Sequence, residues 1–592
     1  VQVLQTELYN RNLDALRLRS PSYADKLLKQ NSARVRLNEK DTELDQIVSH
    51  IKNDTSNGGM MIVLGWGLGG LPRKALKELG RNYMVVAMEF DLKRFNYILH
   101  REDFSDVFKD ERLYLILDEK EGYGFLEQFR QYITTGNVWI LLHPESNGKR
   151  KTYEEIAKNI AEQKHLLDVN VGTMISMGKN FIDAQLENVP ATVKSHGVKE
   201  LKGLYKGWTL LAVSPGPSLK ANIDAIRHNR DRVKIVCADT ALPFLLQNNV
   251  IPDFVCGIDP LSDNHRIFFD RRTHDERLKD VSLIAIQQYT PSVLRDYPGN
   301  VFVSQQNGSH IQRWLGQFWD DRGEIACPGG SVSHFAMSIC EYLGADRIGI
   351  VGQDMSWKDS YYCNNIGEVL DEEGKPLDRT EGGIEVDNMF GEKVFTTPTF
   401  ISFKIWFDNY IAIRKNIEFI NLSTGGLPIE GAPYKDAHEF FKDTVPGKEP
   451  ALVEKTCLSW NKTGMMEELS GGIRYFKSII SLYRKILKRH HRIVALIPKK
   501  DKKAINRLRN EIEEMKLKVV NPIIEMIVAY RFKIDVYVKS ADIRDIDFVT
   551  DKWERLEKQI QRGLNYYGEF LDATQELLTQ LEKLHKRLTK EA

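Results

Sequence analysis

Three short apolar runs follow one another between Leu210 and Pro260, and each stops at small or acidic polar residues: Ser214-Pro-Gly-Pro-Ser218, Asp239-Thr240 and Asp259-Pro260. Runs of this length read as strands of an open parallel sheet, in which the strand carboxyl ends and the helix starts that follow them face one crevice. Polar groups repeated at those ends therefore point at a common ligand. Leu210 to Val213 is the first predicted strand, Gly216-Pro217 makes the turn, and Ser218 suits the N-cap of a helix whose apolar face is Leu219, Ile223 and Ile226. Gly216 lets backbone approach a ligand, and free N–H groups at the helix start can receive phosphate or carboxylate.

A second glycine turn, Cys327-Pro-Gly-Gly-Ser-Val-Ser-His334, opens a predicted helix from Val332 to Leu343, with Ser331 or Ser333 as its cap. The strand after it, Arg347 to Val351, ends in Gly352-Gln353-Asp354. Two glycine-opened helix starts and three acidic strand ends in one sheet build a shared pocket.

These residues resemble a known family. Val213-Ser-Pro-Gly-Pro-Ser-Leu219, Ala238-Asp-Thr240, Pro252-Asp-Phe-Val255, Gly329-Gly-Ser-Val332, Leu343-Gly-Ala-Asp346, Gly352-Gln-Asp354 and Ile420-Asn-Leu-Ser-Thr-Gly-Gly426 recur in this order in the motility-associated factor (Maf) flagellin glycosyltransferases. The region is also similar to bacterial sialyltransferases, whose nucleotide loop reads Gly-Asn-Gly-Pro-Ser-Leu. Here Ser214-Pro215 replaces Gly-Asn, so the asparagine that would contact cytidine phosphate or ribose is absent. The resemblance implies transfer of a nonulosonic acid, such as a pseudaminic or legionaminic acid derivative, from its CMP ester to serine or threonine of flagellin.

Composition sets limits around this reading. A chain of 592 residues, 42% hydrophobic and 28% charged, is globular and too long for one core, so two to four domains are expected. A formal net charge of +1 argues against a general nucleic-acid binder. No apolar run is long enough to span a membrane. The start of the chain lacks a basic region followed by an apolar core, and the six cysteines show no Cys-x-x-Cys spacing, so the expected compartment is the cytoplasm.

The expected architecture is α/β in three parts. Residues 1–199 form a Rossmann-like domain with a helical connector: strand Met60 to Leu64, the turn Gly65-Trp-Gly-Leu-Gly-Gly70, a helix from Pro72, and strand Tyr83 to Met88 ending in Glu89. Strands Leu113 to Leu117 and Val138 to Leu142 extend this sheet. That glycine pattern also occurs in S-adenosylmethionine methyltransferases, which keeps methyl transfer open as an alternative to a structural scaffold. Residues 200–432 form the central, sialyltransferase-like domain, in which Ser356 to Pro398 has no clear period and reads as a lid or binding loop marked by Trp357, Tyr361 and Tyr362. Residues 433–592 read as helical, with an apolar stripe through Trp553, Leu556, Ile560, Leu564, Tyr567 and Leu571. The cationic run from Arg484 to Arg492 reads as a solvated helix face, with Glu511, Glu513 and Glu514 as matching acids.

Departure of CMP leaves an oxocarbenium-like sugar, so the site must receive phosphate charge, orient the sugar and supply a base. Nucleotide contacts are expected from Ser214, Gly216, Pro217, Ser218, Asp239, Thr240, Asp259 and Gln353, with the Gly329, Gly330 and Ser331 helix start suited to the donor carboxylate or phosphate. Candidate bases are Asp354, His334, Asp259 and His310, with Asp354 preferred and His334 second. Asp239, Asp259 and Asp354 could converge on Mg²⁺, whereas the sialyltransferase resemblance implies metal-independent transfer with no tightly bound cofactor. A pterin pyrophosphokinase also shares part of this region and would need Mg-ATP. A non-catalytic flagellin-binding protein is the remaining alternative.

Overall fold

The computed structural model of the chain describes residues 2–30, 48, 51, 59–79, 83–123, 125, 137–144, 149–261, 275–326, 330–358, 363, 383–450, 459–518 and 551–590. The chain divides into two compact units, Val1–Gly172 with Asp535–Arg562, and Thr173–Ile534 with Gly563–Ala592.

The first unit contains a four-stranded parallel sheet of β1 (Gly59–Leu64), β2 (Tyr83–Met88), β3 (Leu113–Ile116) and β4 (Asn137–Leu142), in the order β3-β2-β1-β4. These are the strands expected from the sequence, because parallel strands covered on both faces are continuously apolar. Met61, Val63, Val85 and Ala87 pack into one core with Leu13, Leu16 and Phe95, while Met60, Ile62, Val86 and Met88 pack into another with Tyr153 and Ile156. The expected helical connector begins as one long helix, Arg150–Glu187, followed by Val189–Lys194.

In the second unit, eight parallel strands form the main sheet. They are β5 (His196–Gly197), β6 (Thr209–Val213), β7 (Val233–Ala238), β8 (Phe254–Gly257), β9 (Ser282–Ile286), β10 (Val301–Ser304), β11 (Arg347–Val351) and β14 (Glu418–Asn421). Their order is β14-β11-β6-β7-β8-β9-β10-β5. Alternate residues feed opposite faces: Leu211, Val213, Ile235 and Cys237 pack under the helix Ser218–His228, and Leu210, Ala212, Val236 and Cys256 under the helix Val332–Tyr342. From β6 the chain steps outward through β7, β8, β9 and β10, then returns to lay β11 on the other side of β6. The strand order thus reverses between β6 and β11, the place where open α/β sheets leave a crevice beyond their carboxyl ends.

The stretch from Ser356 to Pro398 departs from the expected loop, because it contains an antiparallel hairpin, β12 (Ile384–Asp387) with β13 (Lys393–Thr396). Trp357 pairs its backbone in both directions with Phe395, which ties the hairpin to the end of β11. Tyr361 and Tyr362 lie outside the described residues. The C-terminal part is helical, as expected: Lys462–Leu496, Lys502–Lys516 and Lys552–Lys590. Met465, Leu469 and Phe476 of the first of these pack with Leu577, Leu581 and Leu584 of the last, against Trp314 and Trp319.

Candidate functional site

At the reversal point, Val213 and Val351 are register partners, and the chain leaves both strands into one cluster. Ser214 N–H donates to the Val351 carbonyl at 2.8 Å and Gly216 N–H to the Gly352 carbonyl at 2.8 Å. Asp354 turns back over this loop: its Oδ2 accepts the Ser218 N–H at 3.0 Å and the Ser218 hydroxyl at 2.8 Å. Ser218 is therefore the first helical residue, not the cap expected from the sequence. Pro217 holds the cap position with helical backbone angles, and the Ser218 hydroxyl goes to Asp354. The helix start that could have received a ligand anion holds an internal carboxylate, where the helix dipole favours negative charge.

The glycines here make room for these contacts. A Cβ on Gly216 would lie 2.3 Å from Asp354 Oδ2, and one on Gly352, whose φ is +70°, would lie 1.9 Å from the Ser214 carbonyl oxygen. On the far side, Gly426 packs on the Asp354 backbone, and Leu427 N–H donates to the Asp354 carbonyl at 2.8 Å. Met355 has φ +53°, a left-handed conformation uncommon outside glycine and asparagine. Its carbonyl is held by the Thr396 hydroxyl at 2.8 Å, so β13 fixes this bend. Burial pushes the Asp354 carboxyl up to about 6, although the Ser218 bonds oppose the shift. Gln353 is buried beside it.

The second helix start lies across the same crevice. Ser331 caps the helix Val332–Tyr342, accepting from Ser333 N–H at 3.3 Å, and Gly330 before it has φ +66°. Ser214 Oγ donates to Ser333 Oγ at 2.8 Å, which joins the two glycine turns. Gly329 lies outside the described residues. His334 is fully buried, its ring stacked on Trp406 with 4.0 Å between centroids and edged by Phe403 and Phe407. His310 begins the helix His310–Leu315, with Nδ1 2.6 Å from Arg313 Nη2.

A second acidic group gathers at the ends of β7, β8 and β9. Asp239 is 2% exposed; its Oδ1 accepts Thr240 N–H at 2.7 Å and its Oδ2 accepts the Tyr289 hydroxyl at 2.9 Å. Burial raises its pKa to about 7, and the neighbouring Asp259 adds to the rise. Asp259 is partly exposed, its backbone carbonyl held by the Thr290 hydroxyl at 3.0 Å, and burial pushes its carboxyl up to about 6. Tyr289 was not singled out in the sequence. Its ring fills the space left by Gly257, where a Cβ would meet it at 2.2 Å. The signal was present in Gln287-Gln-Tyr-Thr290, a further polar cluster at a strand end.

Asp239 and Asp354 follow strands on either side of β6, two strand spacings apart, or roughly 10 Å. Asp259 is one strand further. Among the described residues no group of three or more His, Cys, Asp or Glu is placed to hold a metal ion, so the three aspartates do not form the Mg²⁺ cluster considered from the sequence. No helix is long and apolar enough to cross a membrane among the described residues.

The Gly65-Gly70 turn in the first unit is filled by the protein itself. Gly65, Gly67 and Gly69 have positive φ, and a Cβ on Gly67 would lie 2.1 Å from the His143 ring, one on Gly69 2.2 Å from the Phe104 ring. Glu89, the strand-end acid that would meet a ribose, is buried and accepts from Trp66 N–H at 3.0 Å, Asp91 N–H at 2.9 Å and the Tyr153 hydroxyl at 3.1 Å.

The chain has the α/β fold, with parallel sheets and a helical C-terminal part, of a Maf glycosyltransferase: the structure of that enzyme from Magnetospirillum magneticum AMB-1 superposes with a TM-score of 0.58, covering 99% of this chain and 97% of the other. At 14% identity the likeness is one of fold. Residues 183–360 match the family model described as 6-hydroxymethylpterin diphosphokinase MptE-like. An uncharacterized protein of Treponema pallidum (strain Nichols) is 24% identical over 161 residues, which is 27% of this chain and 76% of that protein.

Proposed function

We propose that this chain is a glycosyltransferase that moves a nonulosonic acid, pseudaminic, legionaminic or related, from its CMP ester to serine or threonine hydroxyls of flagellin in the cytoplasm. The observation that carries this reading is the crevice at the β6/β11 reversal, lined by two glycine turns and buried carboxylates, in a chain that shares the fold of a Maf glycosyltransferase over 99% of its length. On this reading the Ser331-capped helix start and the joined Ser214 and Ser333 hydroxyls receive the leaving phosphate or the donor carboxylate. Asp259, partly exposed at the end of β8, takes ribose hydroxyls, as the acid at a strand end does in nucleotide-binding α/β units, while Asp239 is buried and held by Thr240 and Tyr289. Asp354 supplies the base. A carboxyl whose pKa is raised to about 6 suits that work near neutral pH. His334, the second candidate from the sequence, is fully buried against Trp406, Phe403 and Phe407. Charge is handled by backbone donors and carboxylates, without a required metal or tightly bound cofactor.

The test is incubation of the purified chain with a CMP-activated nonulosonic acid and flagellin, with and without EDTA, following CMP release and flagellin mass. A mass gain that survives EDTA supports the reading. Absence of CMP release sinks it.

The MptE-like match over residues 183–360 favours a second reading, Mg-ATP-dependent diphosphate transfer in the same crevice. Strict dependence on Mg²⁺ together with AMP formation would favour it over the first. Methyl transfer at the Gly65 turn is disfavoured because His143 and Phe104 take up its space. A non-catalytic flagellin binder would leave every donor intact.

A further inference from the structure

We propose that the tip of the hairpin formed by the helices Lys462–Leu496 and Lys502–Lys516 is an electrostatic docking surface for an anionic lipid bilayer. Residues 484–518 contain thirteen Lys or Arg and four Asp or Glu, a net charge of +9, whereas the whole chain has 83 and 82 and a net +1. The remainder of the chain is therefore net −8, and nearly all the charge asymmetry sits on one hairpin.

The acids on this hairpin neutralise little of it. Glu511 takes Arg489 at 2.7 Å and Arg507 at 3.8 Å, Glu513 takes Lys516 at 2.7 Å, and the Asp501 carboxylate caps the second helix through Ala504 N–H. Arg484, Lys485, Lys488 and Arg492 are exposed on the first helix, and Lys499, Lys500, Lys502 and Lys503 are exposed around the turn. Among the described residues, none of these eight has a salt-bridge partner within 4.0 Å. The pairing expected from the sequence thus accounts for a minority of the cations.

The chemistry of the patch separates a bilayer from other polyanions. Lysines outnumber arginines eight to five between 484 and 518, and lysine is a point charge suited to a diffuse surface, whereas arginine reads phosphate through a fixed fork. Residues 484–518 include no Phe, Tyr or Trp that could stack on a nucleobase. A specific acidic protein would need a desolvated apolar anchor at the centre of the patch. The apolar residues of the hairpin, Ile486, Ile493, Ile505 and Leu508, are buried inward. Leu517, 80% exposed, follows the far end of the second helix from the turn and takes no part in the tip. Clustered cations of this kind recognise anionic headgroups through charge alone.

The experiment is co-sedimentation of the full chain with phosphatidylcholine vesicles and with vesicles carrying about 30 mol% phosphatidylglycerol, at about 0.1 M and 0.5 M NaCl, where screening differs roughly twofold in length. The expected result is at least about a fivefold larger bound fraction on the anionic vesicles at low salt, lost at high salt, and lost in the Lys499→Glu, Lys500→Glu, Lys502→Glu, Lys503→Glu variant. All four positions are exposed, and an unchanged thermal melt and circular dichroism spectrum would show that the variant folds. Equal binding to neutral and anionic vesicles would overturn the proposal, as would undiminished binding by the folded variant. Tighter binding to duplex DNA or polyglutamate than to the anionic vesicles would also overturn it.

Discussion

Asp354 and Ser218, 136 residues apart in sequence, are joined by two hydrogen bonds on one oxygen: the Ser218 N–H at 3.0 Å and its hydroxyl at 2.8 Å both reach Asp354 Oδ2. This contact closes the loop after β6 onto the loop after β11 at the point where the sheet changes direction.

Ser218→Ala removes one of the two donors and leaves the backbone bond in place. The expected cost is about 1–2 kcal/mol, because the hydrogen bond is buried and its acceptor is a carboxylate. Urea denaturation measures it, and a loss below about 0.3 kcal/mol would mean that the hydroxyl contributes nothing to closing the two loops.

Gly216→Ala places a Cβ 2.3 Å from Asp354 Oδ2 and 2.4 Å from the Gly352 carbonyl oxygen, so one of the loops must move. Gly203→Ala is the control. Unlike Gly216 it sits at positive φ, +71°, but a Cβ there meets nothing within 4 Å, so only backbone strain of about 1–2 kcal/mol is expected. Thermal melts of the two variants should show Gly216→Ala the less stable by several degrees. Equal melting temperatures would contradict the close packing of the two loops.

The three strand-end aspartates make stability fall as pH rises. Burial raises Asp239 to about 7 and Asp259 and Asp354 to about 6, so each binds its proton more tightly folded than unfolded. Between the unfolded value near 4 and those folded values the native state holds more protons, and linkage then lowers stability with increasing pH. The effect is absent below about pH 4 and complete above about pH 7. Melting temperature should decline from pH 5 to pH 8, and Asp239→Asn should flatten part of that decline. An unchanged slope in Asp239→Asn would contradict the assignment.

Much of this was legible in the sequence, for one reason: parallel strands buried on both faces are continuous apolar runs, and their ends are marked by polar residues. Tyr83 to Met88 and Arg347 to Val351 match their predicted bounds, and the glycine turns at Gly216 and Gly330 open helices as read. The reversal of strand order between β6 and β11 was not legible, because pairing of Val213 with Val351 is a long-range contact that no local pattern encodes. Ser218 was misread as a cap because its true partner is 136 residues away. The hairpin β12–β13 was missed because Ile384 and Glu385 are both exposed, which removes the alternation that marks a half-buried strand. Tyr289 was missed because a tyrosine after a strand is ordinary until Gly257 and Asp239 are seen on either side of it.

In the first unit, His143 and Phe104 take up the glycine loop, and Glu89 is committed to Trp66, Asp91 and Tyr153. S-adenosylmethionine is therefore expected to leave the melting temperature of the chain unchanged at millimolar concentration. A rise of several degrees, lost in Gly67→Ala, would reopen a cofactor site there.

Calorimetric titration of CMP and of Mg-ATP into the chain, with and without Mg²⁺ and repeated with Asp259→Asn, is the most direct measurement. The expected result is CMP binding that needs no Mg²⁺ and weakens about tenfold or more in the variant, the loss of one charged hydrogen-bond acceptor. Binding of Mg-ATP with no heat from CMP would contradict a cytidine-nucleotide site at the ends of these strands.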